Sequence, residues 1–395
     1  MNYVFISPNY PDFFYKFCSA LQRKGVSVFG VGDSAFIGAQ LRNSLSQYFV
    51  VPNMTDFNAM CNVVEQIIHS NGEIGGIGSL NEFWLETESK LREKYGIKGA
   101  KLDLMQDYKY KSRMKKRFQQ ANVPTAPWIN SSCKDEIIDF ATQQGFPIFC
   151  KPDNGVGAEG THKFCDMIQL TNFLECNEFC KYIFEPYVDG EIYSFDGLCD
   201  KDGDIVVSAC HYFYTPIDRL KDNGQECVYR TITTVPDALL KAGTATVKAF
   251  ELKSSFFHIE YFKLNSPLVG VAEIGEYVAL EVNMRIAGGY TAEMLYFALG
   301  IDIYSLWATV ICDEKPNIAD YIFSPDKRMV VNVARKNGRI YKYSLSQLKD
   351  AFLQEFLLSA ETTKDDNPFG NLEIISAFSD ETQLDAFVKM AIEKV

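Results

Sequence analysis

The sequence predicts an α/β fold in which a parallel layered domain leads into a longer region of mixed strands and helices. Through the first hundred residues, short apolar strands alternate with helical stretches, the pattern of parallel βαβ units. From about residue 127 to 204, strand and helix alternate with turn dipeptides such as Asp189-Gly190 and Asp202-Gly203, and 291–314 read as helical. In order, residues 3–6 read as a strand, 12–24 as a helix stopped by Gly25, and 26–31 as a second strand closed by Gly32 and Asp33. Residues 49–51 read as a strand, 57–69 as a helix, 75–78 as a strand and 81–95 as a helix. Residues 107–120 form a strongly basic helix ended by Pro124 and Pro127, and 255–292 are strand-rich. The most membrane-like stretch, 294–312, carries Asp302 beside Gly300, so it reads as two buried elements; a spanning helix needs about 20 unbroken apolar residues.

Composition narrows the function. At 395 residues the prior is two to three domains, and 47% hydrophobic with 23% charged residues is a globular balance. A net charge of −12 lacks the basic footprint of a nucleic-acid binder, yet leaves room for a local basic pocket around a phosphorylated small molecule. Eleven cysteines without a C-x-x-C pair argue against a zinc site or disulfide framework. Cys176 and Cys180 share a helical face and are expected to be buried thiols. With no basic leader or cleavage site at the start, the expected location is the cytoplasm, away from membranes. Ser7-Pro8-Asn9-Tyr10-Pro11 stands where a dinucleotide-binding G-x-G-x-x-G would follow the first strand, which disfavours a nicotinamide enzyme.

Three motifs carry chemistry. An apolar strand delivers Lys151, and a loop with Gly155, Gly157 and Gly160 follows. Glycines let backbone N–H groups close on an anion, and a lysine ahead of them adds charge for phosphate oxygens. The lysine precedes the glycines, so this is not a Walker A loop. Next, Tyr182 to Val188 alternates as a strand, breaks at Asp189-Gly190 and resumes at Glu191, as either a plain hairpin or a linker between two lobes. The linker would offer backbone groups to a purine and a carboxylate to a ribose. Finally, Glu281, Asn283 and Arg285 fall on one face of a strand by period-two alternation. A carboxylate and an amide oxygen there suit Mg²⁺, and an arginine beside them suits a transferring phosphoryl group or an acyl phosphate.

In this order and spacing the motifs resemble the ATP-grasp superfamily, which includes biotin carboxylase, D-alanine–D-alanine ligase, carbamoyl phosphate synthetase and the amino-acid ligases. The resemblance covers roughly residues 100–300, and a single core of this size is nearest to the amino-acid and peptide ligases. It implies a pre-ATP-grasp α/β domain at 1–98, an ATP-grasp core at 99–314 with a lid at about 126–184, and an α+β segment at 315–395. That last segment would complete the substrate pocket or an oligomer interface. Carried over, Lys111 and Lys151 are the nucleotide-binding lysines, with Lys109 a competitor for the first. The family's Asp-Lys pair is Tyr110-Lys111 here. Gly155, Gly157 and Gly160 match the loop over the phosphates, Glu185 and Val188 the adenine hinge, and Glu191 the ribose carboxylate. Glu281 and Asn283 match metal ligands, and Arg285 the arginine that meets the activated carboxylate.

The family's other acidic ligand usually lies about a dozen residues before the one matched by Glu281. Glu260 lies 21 before it, a gap that a long hairpin through 265–275 absorbs; Glu273 and Glu276 are closer but sit where a turn is expected. His258, two residues before Glu260, is expected to be a hydrogen-bonded structural histidine. Arg230 and Arg335 are open between a substrate-carboxylate role and ordinary arginines, and Ser79, Asn81 and Glu82 stand at a strand end near the rim. The resemblance implies ATP with Mg²⁺ (or Mn²⁺), small-molecule carboxylate and amine substrates, and no nucleic-acid or membrane partner, and leaves a homodimer open. The expected activity is ATP-dependent carboxylate–amine (or carboxylate–thiol) ligation; the alternative is an ATP-binding regulatory module without turnover.

Overall fold

The computed structural model describes residues 1–155, 160–176, 178–215, 225–361 and 370–395. Its first layer is a parallel sheet ordered β3-β2-β1-β4, from β1 (Asn2–Ile6), β2 (Ser27–Gly32), β3 (Gln47–Val50) and β4 (Ile74–Gly78). Val4, Phe5 and Ile6 are all buried, as expected of a central parallel strand covered on both faces. The covering helices are α1 (Tyr15–Arg23), α2 (Ala39–Asn43), α3 (Phe57–Asn71) and α4 (Leu85–Tyr95). Asp56 caps α3 by accepting from the N–H groups of Asn58 and Ala59, and Gly96 ends α4 at φ 67°, a left-handed position.

The basic helix expected over 107–120 begins four residues later: α5 (Leu102–Asp107) ends where it was expected to start, and α6 (Lys111–Gln120) forms the rest. The chain bends between them because Tyr108 drops into the core and its hydroxyl donates to Phe250 O at 2.7 Å. Lys111 thereby opens a helix instead of riding in the middle of one. A small antiparallel sheet, β6-β5-β7, follows from β5 (Ile148–Pro152), β6 (His162–Phe164) and β7 (Tyr182–Pro186), backed by α7 (Lys134–Gln144) and α8 (Met167–Cys176) around Phe164, Leu170 and Phe184. Cys176 and Cys180 are both exposed, contrary to expectation: α8 ends at Cys176, so Cys180 lies on a separate short turn and shares no helical face with it.

The body is an eight-stranded antiparallel sheet ordered β12-β11-β8-β9-β10-β13-β15-β14. Its strands are β8 (Gly190–Cys199), β9 (Ile205–Phe213), β10 (Cys227–Ile232), β11 (Ser255–Leu264), β12 (Tyr277–Asn283), β13 (Met329–Arg335), β14 (Phe356–Glu361) and β15 (Leu372–Phe378). α9 (Asp237–Ala249) packs on one face, and α10 (Thr291–Leu299) and α11 (Ile303–Ile311) on the other, while α12 (Leu345–Ala351) and α13 (Glu381–Ile392) close the far end. The break in residues 294–312 falls at Gly300–Asp302 as expected, and among the described residues no helix is long and apolar enough to cross a membrane. Trp307 on α11 packs edge-on against Phe17 of α1, 5.2 Å between centroids, and joins the first sheet to the body. That joint brings the carboxyl ends of β1 and β4 over the face of the large sheet.

Candidate active site

The three sheets meet around one cleft of about 780 Å³, the size of a small-molecule site. Pro11, Asn81 and Glu82 wall it from the first sheet, Lys151 and Glu185 from the small sheet, and the large sheet forms its floor. Along β11 the alternation is clean: His258, Glu260 and Phe262 face the cleft, while Phe257, Ile259 and Tyr261 enter the core behind.

Antiparallel register sets Glu260 directly opposite Glu281 and His258 opposite Asn283. Two carboxylates and an amide oxygen therefore converge on one patch of floor. Asn283 Oδ1 is buried with no hydrogen-bond partner. Burial pushes the Glu281 carboxyl up; Lys111, at 3.6 Å, works against this, and the nearby Glu82 and Glu260 carboxylates add to it. Burial pushes on Glu260 too, but the bond from His258 Nε2 at 3.1 Å holds it below its ordinary value. His258 in turn holds Asp196 at 2.6 Å through Nδ1. Against the pull of burial, its two carboxylate partners raise it to about 10. Excess negative charge and an orphaned amide oxygen are what a hard divalent cation offsets, so the donor set fits Mg²⁺. Glu273 and Glu276 lie in the turn of the β11–β12 hairpin, away from the cleft walls.

The strand ends at Asn283, and Arg285 follows it on the cleft wall. Its guanidinium pairs with Glu82, which arrives from the end of β4, and donates to Ile286 O at 2.9 Å. At the other side, Lys111 opens α6, where its Nζ donates to Gly155 O at 2.9 Å and its backbone N–H to Asp153 O at 2.8 Å. Lys151 pairs with Glu185 at 2.7 Å, and Lys115 contacts the same carboxylate while donating to Thr125 Oγ1 at 2.8 Å. Burial alone would raise Glu185, but two facing ammonium groups lower it to about 2; burial, with Lys151 sharing its anion, lowers Lys115 to about 8. Two cations on one anion leave this buried cluster one positive charge in excess, beside the cleft.

No protein-family model matches the chain. An L-arginine-specific L-amino acid ligase of Bacillus subtilis is 22% identical over 280 residues, 68% of this chain and 65% of that protein, so the match spans just under two thirds of the relative. Among solved structures, an L-amino acid ligase from Bacillus licheniformis superimposes with a TM-score of 0.74 at 17% identity, covering 100% of this chain and 98% of that one. N5-carboxyaminoimidazole synthetase from Staphylococcus aureus complexed with ADP gives 0.71 at 13% identity, with 98% and 96% covered.

The chain has the ATP-grasp fold.

Within this fold, Tyr187, Val188 and Asp189 are the linker: β7 belongs to the small sheet and β8 to the large one, so the strand break is a crossing between lobes and not a hairpin. Val188 lines the cleft. Glu191 does not. Gly190 and Ile192 face the cleft, so alternation turns Glu191 to the opposite side, where it accepts from Tyr212 at 3.2 Å. Glu185 reaches the cleft with its carboxylate committed to the two lysines. Gly155 lines the wall and Gly160 turns at φ 69°; Gly157 lies outside the described residues.

Sequence reasoning missed Lys115. It stands four residues after Lys111 on the same helix face, a spacing that would have flagged it. Asp196, which ties His211 at 2.8 Å and His258 together beside Glu260, carried no motif signal. Arg335 is structural: its guanidinium donates to Ala391 O and Tyr343 O and lies over the Tyr341 ring. Arg230 pairs with Glu381 at 2.6 Å and is not on the cleft wall.

Proposed function

We propose that the chain is an ATP-dependent ligase that activates a carboxylate as an acyl phosphate and joins it to an amine, with amino acids as the substrate class. The observation that carries this reading is the convergence of Lys111, Lys151, Glu281, Asn283 and Arg285 on one cleft from segments scattered over 175 residues of chain. The names of its relatives, amino acid ligases, and the ADP held by a structural neighbour support it.

In this reading Lys111 and Lys151 neutralise phosphate oxygens, Glu185 fixes where Lys151 points, and the linker at Val188 holds the base. Glu260, Glu281 and Asn283 would hold Mg²⁺ (or Mn²⁺), which when bound supplies charge neutralisation for phosphoryl transfer. Arg285, exchanging Glu82 for substrate, steadies the carboxylate while its oxygen takes the γ-phosphoryl group. ADP is the leaving group of that transfer; the amine then attacks the acyl carbon, gives up a proton to solvent, and phosphate leaves. The small-sheet lobe at about 126–184, between the 1–98 domain and the rest of the core, excludes water that would hydrolyse the activated acid. We place the activity in the cytoplasm, on small molecules, with residues 315–395 completing the substrate pocket.

The test is a phosphate-release screen of paired amino acids and amines with Mg-ATP. Release should require both partners and fall about a hundredfold or more in Lys151→Ala and Glu281→Ala. Folded protein that is stabilised by ATP yet forms no ADP with any pair would make it a nucleotide-binding regulatory module instead.

A further inference from the structure

The cleft continues beyond Arg285. Past the Gly288-Gly289 turn, its wall is the face of the large sheet that carries Tyr229 on β10, Asn332 on β13 and Glu373 on β15. Gly289 sits at φ 63°, and a Cβ on it would stand 3.0 Å from the Tyr229 hydroxyl, so the arginine turn and this wall are contiguous. The neighbours on the same face are apolar: Val330, Ala334, Ile375 and Ala377. Against them the amide and the carboxyl stand out.

Register puts Tyr229 opposite Asn332 and Glu373 opposite Ala334, which makes Asn332 and Glu373 diagonal neighbours. Asn332 Nδ2 donates to Glu373 Oε2 at 2.5 Å. Asn332 is 1% exposed, and its Oδ1 has no hydrogen-bond partner. Burial pushes the Glu373 carboxyl up to about 7, and the Asn332 amide is the one group that offsets this; no cation among the described residues does. The cations of the cleft are committed elsewhere: Lys111 to Glu281, Lys151 to Glu185 and Arg285 to Glu82. Glu373 and Asp12 both act on Tyr290, whose ring lies 5.1 Å from that of Phe13, so this end of the cleft is acidic and aromatic.

A buried carboxyl that takes one amide donor and faces no cation among the described residues, beside an amide oxygen with no partner, is costly unless something fills the space with N–H groups. A carboxylate would be repelled, and an alkyl tail would leave the Asn332 oxygen unpaired and the Glu373 carboxyl without a cation. An ammonium brings three donors, a guanidinium five, and either gains from facing aromatic rings.

We propose that Asn332 and Glu373 form a subsite for a positively charged group, ammonium or guanidinium, at the far end of an amino-acid substrate whose carboxylate lies at Arg285. The proposal rests on the ligase reading for the position of that carboxylate. The Asn332–Glu373 pair makes the enzyme selective for basic amino acids over neutral ones of the same length.

Two measurements on the full chain test it: calorimetric binding without ATP, and ADP release with Mg-ATP, each for lysine, ornithine and arginine against norleucine, glutamine and glutamate. Basic amino acids should bind, and show a KM, about tenfold or more tighter than norleucine. Glu373→Gln, which keeps the shape, should erase that preference while kcat and the norleucine KM hold, and should melt no lower than the parent. Asn332→Leu should reduce the preference through the lost amide oxygen. Equal affinity for lysine and norleucine, or a preference that survives in both variants, overturns the subsite. Selective binding lost in Glu373→Gln without ADP formation from any pair would keep the subsite and refute the ligase reading. Brisk ADP release with neutral acids and no basic preference would do the reverse.

Discussion

Glu185→Gln removes the anion between two buried ammonium groups while keeping the shape of the side chain. In the parent, Glu185 falls from an ordinary 4.5 to about 2 because Lys115 and Lys151 outweigh its burial. A carboxylate so depressed contributes stability that is present above pH 4.5 and lost as pH falls through about 2; at roughly 1.4 kcal/mol per unit this is about 3 kcal/mol at neutral pH. Breaking a buried pair from one side costs about 3–5 kcal/mol, a consistent figure. Spread over 395 residues, an unfolding entropy of roughly 2 cal/mol/K per residue turns that into a melting point lower by about 4–6 °C. The loss also depends on pH. Lys115 sits at about 8 against an ordinary 10.5, so the unfolded chain binds the extra proton between those values and stability climbs with pH across that window. Without the Glu185 charge, Lys115 falls further and the window opens lower. The gap between parent and variant, read by scanning calorimetry from pH 6 to 9, should therefore narrow as pH rises. A variant that melts with the parent throughout that range would refute the idea that one carboxylate holds both lysines.

Other expectations follow from the same geometry. Glu281→Gln should cut ADP formation by roughly a hundred- to a thousandfold, yet melt at or above the parent without divalent cation, because it relieves a buried carboxyl crowded by Glu82 and Glu260. Arg335→Met should leave substrate KM unchanged but cost about 2–4 kcal/mol in a denaturant titration, since it strips the donors from Ala391 O and Tyr343 O. Native protein treated with a thiol reagent should label Cys133, Cys165, Cys176 and Cys180 quickly and its six buried cysteines only on unfolding.

Local pattern made much of this readable. The order of strands and helices in the first hundred residues, the break before Asp302 and the long β11–β12 hairpin all follow from periodicity and turn residues. Glu281 and Asn283 announce themselves as polar residues on an apolar strand, and the hairpin sets Glu260 against Glu281 as its length suggests. What stayed hidden depends on neighbours distant in sequence. Glu185 looks like a hinge residue until Lys115 arrives from a helix 70 residues earlier, and although its spacing from Lys111 sets Lys115 on the same helix face, only the fold shows which carboxylate it meets. Glu191 fails for a subtler reason: a one-residue difference in phase decides which side of β8 sees the cleft. Asn332 and Glu373 lie in a stretch without motifs, and only the pairing of β13 with β15 makes them a unit.

The late arrival of β13 beside β10 has a cost during synthesis. β10 is flanked on one side by β9 and on the other by β13, which leaves the ribosome about a hundred residues after it. A nascent chain that has made β10 must hold a naked strand edge until residue 335 emerges, an open template for other polypeptides. Clipping the tail before β13 would thus yield an insoluble product, however complete the cleft-lining side chains in front of it.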